Sequence, residues 1–170
     1  PSIVLGPMEG VTDAPMRRVL TDIGLYSFCV TEFFRISNSV PRVSKFKYHV
    51  PELLAESMTP SRAPVVLQLL GGNPEVLARS AVNAVTAGAV AIDLNFGCPA
   101  KTVNRNDGGA ALLKHPNRIY EIVRTVRGAL PKSVSLSAKL RLGWDNISDL
   151  QRNAEMACLG GADWLTIHAR

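Results

Sequence analysis

Residues 64–95, "PVVLQLLGGNPEVLARSAVNAVTAGAVAIDLN", form the stretch from which the fold class can be predicted. An apolar run ending in two glycines opens it and predicts a β-strand. Residues 73–88 predict a helix, because Asn73 can cap its start and Gly88 can end it. A second apolar run closes the stretch. A strand, a helix and another strand joined by short connections indicate two parallel strands with a crossover helix.

The same alternation of strand and helix continues on both sides of this unit. The strands are apolar runs without strict alternation, which is typical of strands covered on both faces. A polar stretch over 37–64 predicts a long loop with one short helix. Strands are predicted over 2–6, 27–33, 64–72, 90–95, 134–143 and 163–169, and helices over 12–24, 73–88, 115–130 and 148–162. This pattern predicts a parallel sheet in an α/β fold.

Two parallel architectures compete, an open doubly wound sheet and a (β/α)8 TIM barrel. The first strand–helix junction, "GPMEGV", lacks the glycine spacing of a dinucleotide-binding fold. Polar side chains recur where the predicted strands end, and a barrel gathers such side chains at one mouth. We therefore predict the first six strands of a TIM barrel, truncated before closure. The polar strand-end residues are Glu9, Glu32, Gln68, Asn95, Lys139 and His168.

Composition limits the function classes. Of its 170 residues 46% are hydrophobic, so the chain can bury a core. Its formal charge of +5 is compatible with a polyanionic partner such as nucleic acid. No apolar run is long enough to span a bilayer. Three widely spaced cysteines argue against a disulfide framework and a zinc site. We expect a cytoplasmic protein without a metal and without a membrane partner.

Cys98 is the first candidate for a catalytic residue. Free cysteines are often small buried hydrophobic residues, and that role suits Cys29 and Cys158. Cys98 instead follows a predicted strand, between Gly97 and Pro99. Glycine allows a ligand to approach the backbone closely, and proline restricts the exit of the loop. The position leaves two roles open, a nucleophile activated by a neighbouring base or cation, or a proton donor.

Lys139 and Gln68 are polar residues inside apolar strands. A lysine there needs an anion or a reactive partner, so Lys139 could form a Schiff base or place a positive charge against an anionic cofactor. A buried amide needs hydrogen-bond partners, which a structural contact or the edge of a flavin or pyrimidine ring could supply to Gln68. A snorkelling surface lysine and a structural amide remain the alternatives.

The stretch "IDLNFGCPAKTVNRNDGGA" (92–110) resembles the signature of the tRNA-dihydrouridine synthases. "PMEGVTD", "QLLG", "KLRLGW" and "HAR" match motifs of that family in the same order, so the likeness covers the whole chain. The versions "PMEGV" and "TEFFRI" are most similar to the bacterial C-type enzymes.

The resemblance implies an enzyme that binds FMN in a TIM barrel and reduces a uridine of the tRNA D-loop, at position 16, to 5,6-dihydrouridine. NADPH would reduce FMN, the reduced flavin would pass a hydride to C6, and Cys98 would protonate C5. Residues 1–170 would be the N-terminal part of the barrel domain, with the remaining strands and a C-terminal helical tRNA-binding domain outside this chain. The full-length protein would be a monomer.

The resemblance also assigns roles residue by residue. Pro7, Met8 and Glu9 would form the loop over the flavin ring. Gln68 would meet the pyrimidine edge of the flavin, Lys139 its N1/O2 region, and His168 the ring or the phosphate side. Arg35 and Asn95 would face the tRNA, with Asn95 near the target base. From their location we add Lys101 and Arg141 as residues that could meet tRNA phosphates.

Other functions remain open at this point. A different FMN-dependent TIM-barrel oxidoreductase could act on a free pyrimidine, although the positive charge and Arg35 favour RNA. A lyase could use Lys139 as a Schiff base, which leaves Cys98 and Gln68 unexplained. A module that binds RNA without catalysis would not need Cys98 at all. The sequence does not distinguish NADPH from NADH, because it holds no nicotinamide fingerprint.

Overall fold

The structure is a computed structural model that describes residues 2–100 and 108–169. Lys101, predicted to meet tRNA phosphates, lies outside these ranges. The strands are β1 (Val4–Leu5), β2 (Phe28–Val30), β3 (Phe34–Arg35), β4 (Val65–Leu70), β5 (Ala91–Asn95), β6 (Ser135–Arg141) and β7 (Trp164–His168). The helices are α1 (Ala14–Ile23), α2 (Val43–His49), α3 (Pro74–Ala87), α4 (Pro116–Ala129) and α5 (Asp149–Leu159), with short 3₁₀ helices at Pro51–Leu54 and Gly109–Lys114.

Two of the helices begin at a capping side chain. Asp13 caps α1 by accepting a hydrogen bond from the backbone N–H of Met16, and Asn73 caps α3 in the same way. Gly88 ends α3 with a φ of 120°, a conformation that glycine adopts without strain. Each cap satisfies a backbone donor that the first turn of a helix leaves unpaired. The structure confirms the four helices predicted from the sequence, which are α1, α3, α4 and α5.

The strand predicted over 27–33 is shortened to β2, and a further short strand, β3, follows it. β2 and β3 lie along the same edge of β4, and between them the hydroxyl of Thr31 accepts a hydrogen bond from the backbone N–H of Gln68 at 3.0 Å. A side-chain oxygen thus replaces a backbone carbonyl in the ladder, so the chain leaves strand geometry for three residues. The 37–64 stretch holds α2 and a 3₁₀ helix, which Phe46 and Leu53 anchor in the core.

The order of the strands in the sheet decides between the two architectures. All pairs are parallel, and six strands follow one another in chain order, β1-β2-β4-β5-β6-β7. A doubly wound sheet reverses its strand order at a switch point, whereas a barrel adds each strand beside the previous one. The structure therefore confirms the prediction of a partial TIM barrel, a half-barrel of parallel strands with helices on its outer side.

An aromatic contact shows how strongly the sheet curves. The rings of Phe28 on β2 and Trp164 on β7 meet edge to face with their centroids 6.1 Å apart. Four strand spacings separate β2 from β7, which in a flat sheet would be roughly 19 Å. The two side chains can touch only because the sheet curls around them.

Two apolar layers lie on the two faces of the sheet. The larger core fills the space between strands and helices and includes Leu67, Ile92 and Leu136, none of which is exposed. The smaller cluster lies inside the curve, where Val30, Val66 and Ala91 pack with the Phe28–Trp164 pair. The interior of the half-barrel is thus apolar at its N-terminal end, which leaves the opposite end for polar residues.

Among the described residues, no helix combines the length and the apolar character needed to cross a bilayer.

Candidate active site

Polar side chains share the inner face of the sheet near the C-terminal ends of the strands. The register aligns Gln68 with Asp93, and Asp93 with Ser137, in one layer. Asn95 and Lys139 form the next layer toward the mouth. Because side chains two residues apart on a strand point to the same face, both layers stand directly above the apolar cluster inside the curve. The expected convergence of strand-end residues on one mouth is thus observed for this part of the sheet.

A hydrogen-bonded chain joins these layers. The carboxylate of Asp93 accepts a hydrogen bond from the Ser137 hydroxyl through Oδ1 and one from Gln68 Nε2, at 2.7 Å, through Oδ2. Gln68 Oε1 accepts in turn from Asn95 Nδ2 at 2.8 Å. Gln68 and Asp93 are almost fully buried, at 0% and 2% exposure. Every one of these groups therefore has the partner that burial requires.

Asn95 also holds the loop that carries Cys98. Its side-chain Oδ1 accepts hydrogen bonds from the backbone N–H of Gly97 at 2.9 Å and of Cys98 at 3.0 Å. The Cys98 carbonyl then accepts from the N–H of Ala110 at the start of the following 3₁₀ helix. The thiol is a free, buried side chain that packs with Leu70 at the end of β4. The loop after β5 is thus fixed from both sides, and the cysteine sits at the mouth of the half-barrel.

Burial shifts the two ionisable groups in these layers. It raises the pKa of Asp93 from 3.8 to about 6, against the opposing effects of its hydrogen bonds with Ser137 and Gln68 and of the nearby Lys139 charge. It lowers the pKa of Lys139 from its usual value, while Asp93 opposes that change. Within the described residues Lys139 forms no ion pair. Its half-buried ammonium is therefore available to an anionic group at the mouth.

The N-terminal loop, in which Pro7, Met8 and Glu9 were expected to cover a cofactor, is braced from beneath. The backbone N–H of Met8 donates to the Thr12 hydroxyl at 2.8 Å, and the Thr12 carbonyl accepts from Arg17 at 2.7 Å. Arg17 forms a buried, two-pronged ion pair with Glu52, with distances of 2.8 and 2.9 Å.

The upper part of the same loop remains accessible. Met8 and Glu9 are exposed, and Pro7 is half-buried. Gly10, with a φ of 74°, donates its N–H to the Glu32 carboxylate after β2. The loop is thus held firmly at its base and leaves its upper surface open to a ligand.

Arg141 and His168 flank a separate recess of about 200 Å³ beside Gly97 and Pro99. They lie opposite each other on β6 and β7. The Nε of Arg141 is buried and has no hydrogen-bond partner among the described residues. A buried donor without a partner is costly, so the recess is suited to an acceptor such as a ligand oxygen.

Arg35 lies elsewhere on the rim. It lines a hollow of about 490 Å³ with Gly71, Gly72 and Arg118, at the N-terminus of α3. Arg118 donates to the Gly72 carbonyl at 2.7 Å, which fixes the loop after β4. Within the described residues, no group of three or more His, Cys, Asp or Glu side chains could hold a metal ion.

Four residues of this arrangement received no role from the sequence: Asp93, Ser137, Arg17 and Glu52. A carboxylate inside the apolar strand "AIDLN" is the signal that could have marked Asp93, since such a group needs partners when buried. No comparable signal marks Ser137, because its contact with Asp93 exists only in the register in which β5 and β6 pair. Arg17 and Glu52 are separated by 35 residues and by an irregular loop.

The family model described as "Dihydrouridine synthase (Dus)" matches residues 3–170. The "tRNA-dihydrouridine(16) synthase" of Vibrio cholerae is 49% identical over 168 residues, which cover 99% of this chain and 52% of that protein. The protein of the same name from Neisseria meningitidis is 48% identical over 171 residues, covering 99% and 50%. The chain thus spans about half the length of these curated relatives.

Solved structures show the fold. A protein assigned as a deoxyribose-phosphate aldolase from Toxoplasma gondii aligns with a TM-score of 0.64 and 19% identity, covering 98% of this chain and 59% of its own. A protein assigned as a lyase or mutase from Burkholderia cenocepacia gives a TM-score of 0.64 at 17% identity, with the same coverage. Identities this low support a shared architecture and carry no information about the reaction.

Proposed function

The chain belongs to the dihydrouridine synthase family, and from that premise we propose that the full-length protein reduces a uridine of the tRNA D-loop to 5,6-dihydrouridine. The observation that carries the proposal is the position of Cys98 at the mouth of the barrel, clamped by Asn95, which also bonds to Gln68 and lies in register with Lys139. The names of the relatives favour the uridine at position 16 as the target. The cytoplasm, where tRNA is modified, is the proposed location.

The residues at the mouth fit FMN. Gln68 is fully buried and bonded to Asp93 and Asn95, so it would support the polar edge of a flavin from beneath, through the amide of Asn95. Lys139 supplies a half-buried positive charge without an ion pair among the described residues, next to the same layer. FMN, when bound, carries reducing equivalents from NADPH to the uridine ring.

Three groups of this chain would hold the cofactor. The loop of Pro7, Met8 and Glu9 would cover it, because Thr12 holds the base of the loop while its upper side stays exposed. Gln68, one layer below Asn95, would orient its polar edge from beneath. Lys139 and His168 would lie on the far side, on β6 and β7, where positive charge favours an electron-rich ring.

Cys98 would act as the proton donor. Reduction of a uracil ring at C6 leaves negative charge that a proton at C5 must neutralise, and a thiol fixed at hydrogen-bonding distance can deliver that proton. The Asn95 clamp limits where the thiol can go, so that donor and ring would meet in a defined geometry. Because the thiol is buried at the mouth, the uridine would have to leave the stack of the tRNA to reach it.

The tRNA would approach across the rim of the mouth. Arg35, Arg141 and Lys101 are proposed to contact it, of which Arg35 is exposed and Arg141 is half-buried. The excess of positive charge on the chain supports binding of a polyanion. Asn95, whose side chain is half-buried, is proposed to lie near the target base. We propose that the remaining part of the barrel and a helical domain, outside this chain, complete the site, and that the protein works as a monomer.

The experiment that tests the proposal uses the full-length protein. The purified protein is expected to show a flavin absorption spectrum that NADPH bleaches without oxygen. Addition of tRNA that lacks dihydrouridine should restore the colour and leave one dihydrouridine per tRNA, found by mass spectrometry of nuclease digests at position 16. A colourless protein that FMN does not reconstitute would contradict the flavin proposal, and bleaching without any product in tRNA would contradict the choice of substrate.

One observation favours a second candidate. The lowered pKa of Lys139 is also what a Schiff-base lysine needs. Borohydride trapping of a carbonyl substrate on Lys139 would support a lyase, which gives no task to the clamp on Cys98. If no adduct is trapped and NADPH bleaches the flavin, only the reductase proposal stands.

A further inference from the structure

The structure assigns to Asp93 the role of a positioning residue that, held by Ser137, sets the orientation of the Gln68 amide and through it the placement of the Cys98 loop. Asp93 touches neither the thiol nor the expected position of a ligand, so it acts only through Gln68 and Asn95. The role in catalysis rests on the proposed function. The effect on the loop does not depend on it.

The argument begins with the direction of each hydrogen bond. A side-chain amide has one end that only donates and one that only accepts, so its orientation is decided by its strongest partner. An ionised carboxylate accepts only, so Asp93 Oδ2 draws the Nε2 end of Gln68 toward itself. The Gln68 oxygen must then face Asn95. The orientation of one amide is thereby fixed from a buried anchor.

The next link follows by the same rule. Asn95 faces an acceptor, Gln68 Oε1, so it presents its Nδ2 there and turns its Oδ1 to the opposite side. That oxygen is the one that accepts the backbone N–H groups of Gly97 and Cys98. If the Gln68 amide turned over, the Asn95 amide would have to turn as well. The Nδ2 donor of Asn95 would then face the backbone N–H groups of Gly97 and Cys98, which are donors too. The carboxylate of Asp93 thus selects the only arrangement in which the Cys98 loop is clamped.

Ser137 explains why the carboxylate itself does not rotate. Its hydroxyl donates to Oδ1, on the side of Asp93 away from Gln68, and Ser137 is 1% exposed. The neighbouring main-chain bond from Phe96 to the Lys139 carbonyl ties the end of β5 to β6 at the same level. The raised pKa of Asp93, about 6, still leaves the carboxylate ionised at neutral pH. The anchor is thus set by the register of β5 and β6.

A chemical measurement reads the loop directly. Iodoacetamide labelling of Cys98, followed by peptide mass mapping that separates it from Cys29 and Cys158, is carried out on the flavin-free full-length protein. The comparison is between wild type, Asp93→Ala, Asp93→Asn and Ile92→Val. Asn can still accept from Gln68 and donate to the Ser137 oxygen, so it should preserve the arrangement. Ile92 lies on the same strand but faces the helices, which makes Ile92→Val the control for general destabilisation.

Asp93→Ala is expected to raise the labelling rate of Cys98 about fivefold, the equivalent of about 1 kcal/mol, which is the net value of one hydrogen bond. Asp93→Asn and Ile92→Val should remain within about twofold of wild type, which is inside the scatter of such hydrogen-bond values. Equal labelling in Asp93→Ala and wild type would overturn the assignment. So would an equal rise in Asp93→Ala and Ile92→Val, since that would show loosening of the whole strand.

A second variant keeps the test decisive if Asp93→Ala does not fold. Gln68→Met conserves the volume of a buried side chain and breaks the chain of hydrogen bonds at its middle, so it should raise Cys98 labelling in the flavin-free protein to a similar extent. Unchanged labelling in that variant would overturn the role of Gln68 as the link. If instead the labelling behaves as expected but wild-type protein reduces no tRNA, the proposed function fails while the positioning role stands.

Discussion

Replacement of Asn95 by alanine removes the clamp on Cys98 most directly. The side chain accepts two backbone hydrogen bonds, from Gly97 and Cys98, and donates one to Gln68. Alanine leaves both backbone donors and the Gln68 oxygen without these partners. At about 1 kcal/mol for each net hydrogen bond, the closed position of the loop loses about 2–3 kcal/mol, so its population relative to open forms falls roughly 30- to 150-fold.

The assay is a single turnover at saturating tRNA. Full-length enzyme is reduced without oxygen and mixed rapidly with tRNA, and the return of flavin absorbance gives the rate of uridine reduction. Because Asn95 is also proposed to lie near the base, saturation separates weaker tRNA binding from a misplaced thiol. Asn95→Ala is expected to slow this step about 100-fold, the cost of a displaced catalytic group. Reduction of the flavin by NADPH, which does not use the thiol, should change little.

The matched control is Thr166→Ala. Thr166 lies on β7 in register with Lys139 and takes no part in the hydrogen-bond network of the described residues. Its replacement should leave the single-turnover rate unchanged. If Asn95→Ala reduces uridine within about threefold of the wild-type rate at saturating tRNA, less than one hydrogen bond is worth, the clamp does not position the thiol and the reasoning is refuted.

Three further predictions follow from the same structure. Lys139→Met should lower the reduction potential of bound flavin and slow its reduction by NADPH about tenfold, because the charge that favours the reduced ring is lost; an unchanged potential, measured by dye equilibration, would place the ammonium elsewhere. Burial raises the pKa of Asp93 above its unfolded value, so the folded state binds this proton more tightly and the contribution of Asp93 to the free energy of unfolding should fall by up to about 3 kcal/mol as pH rises from about 4 to about 6. Asp93→Asn should flatten that part of the profile of denaturant midpoint against pH, and a profile with the wild-type slope would assign the titration to another group. Arg17→Met leaves Glu52 buried without its partner and should cost about 3–5 kcal/mol of stability, most of which the double replacement with Glu52→Leu should restore. The thermal midpoints of the single and the double variant check this. Equal midpoints would show that the unpaired charge of Glu52 is not the cause of the loss.

The fold was predictable because its evidence is local. Each of the six strands of the half-barrel begins and ends within a few residues of an apolar run, and Asn73 and Gly88 bound α3 where their capping chemistry requires. The break between β2 and β3 was not predictable, since it depends on the Thr31 hydroxyl meeting the N–H of Gln68, 37 residues away. Local propensity cannot report a bond that exists only after two strands have paired.

The site was predictable in its members and not in its connections. Gln68, Asn95, Cys98 and Lys139 stand out because polar or reactive groups inside or just after apolar strands need a reason. That Ser137 lies opposite Asp93, and that Gln68 bonds to both Asp93 and Asn95, follows from register, which shifts every side chain to the other face if it slips by one residue. The bonds of Asn95 to the backbone of Gly97 and Cys98 are local, two and three residues along the chain.

The most direct test of the central claim compares wild type with Cys98→Ala in the full-length, FMN-loaded protein. The account predicts that NADPH reduces the flavin at the same rate in both, and that formation of dihydrouridine in tRNA falls by at least about 100-fold in the variant, the usual contribution of a general acid. Dihydrouridine formation at the wild-type rate in Cys98→Ala would show that another group donates the proton, and would contradict the account at its centre.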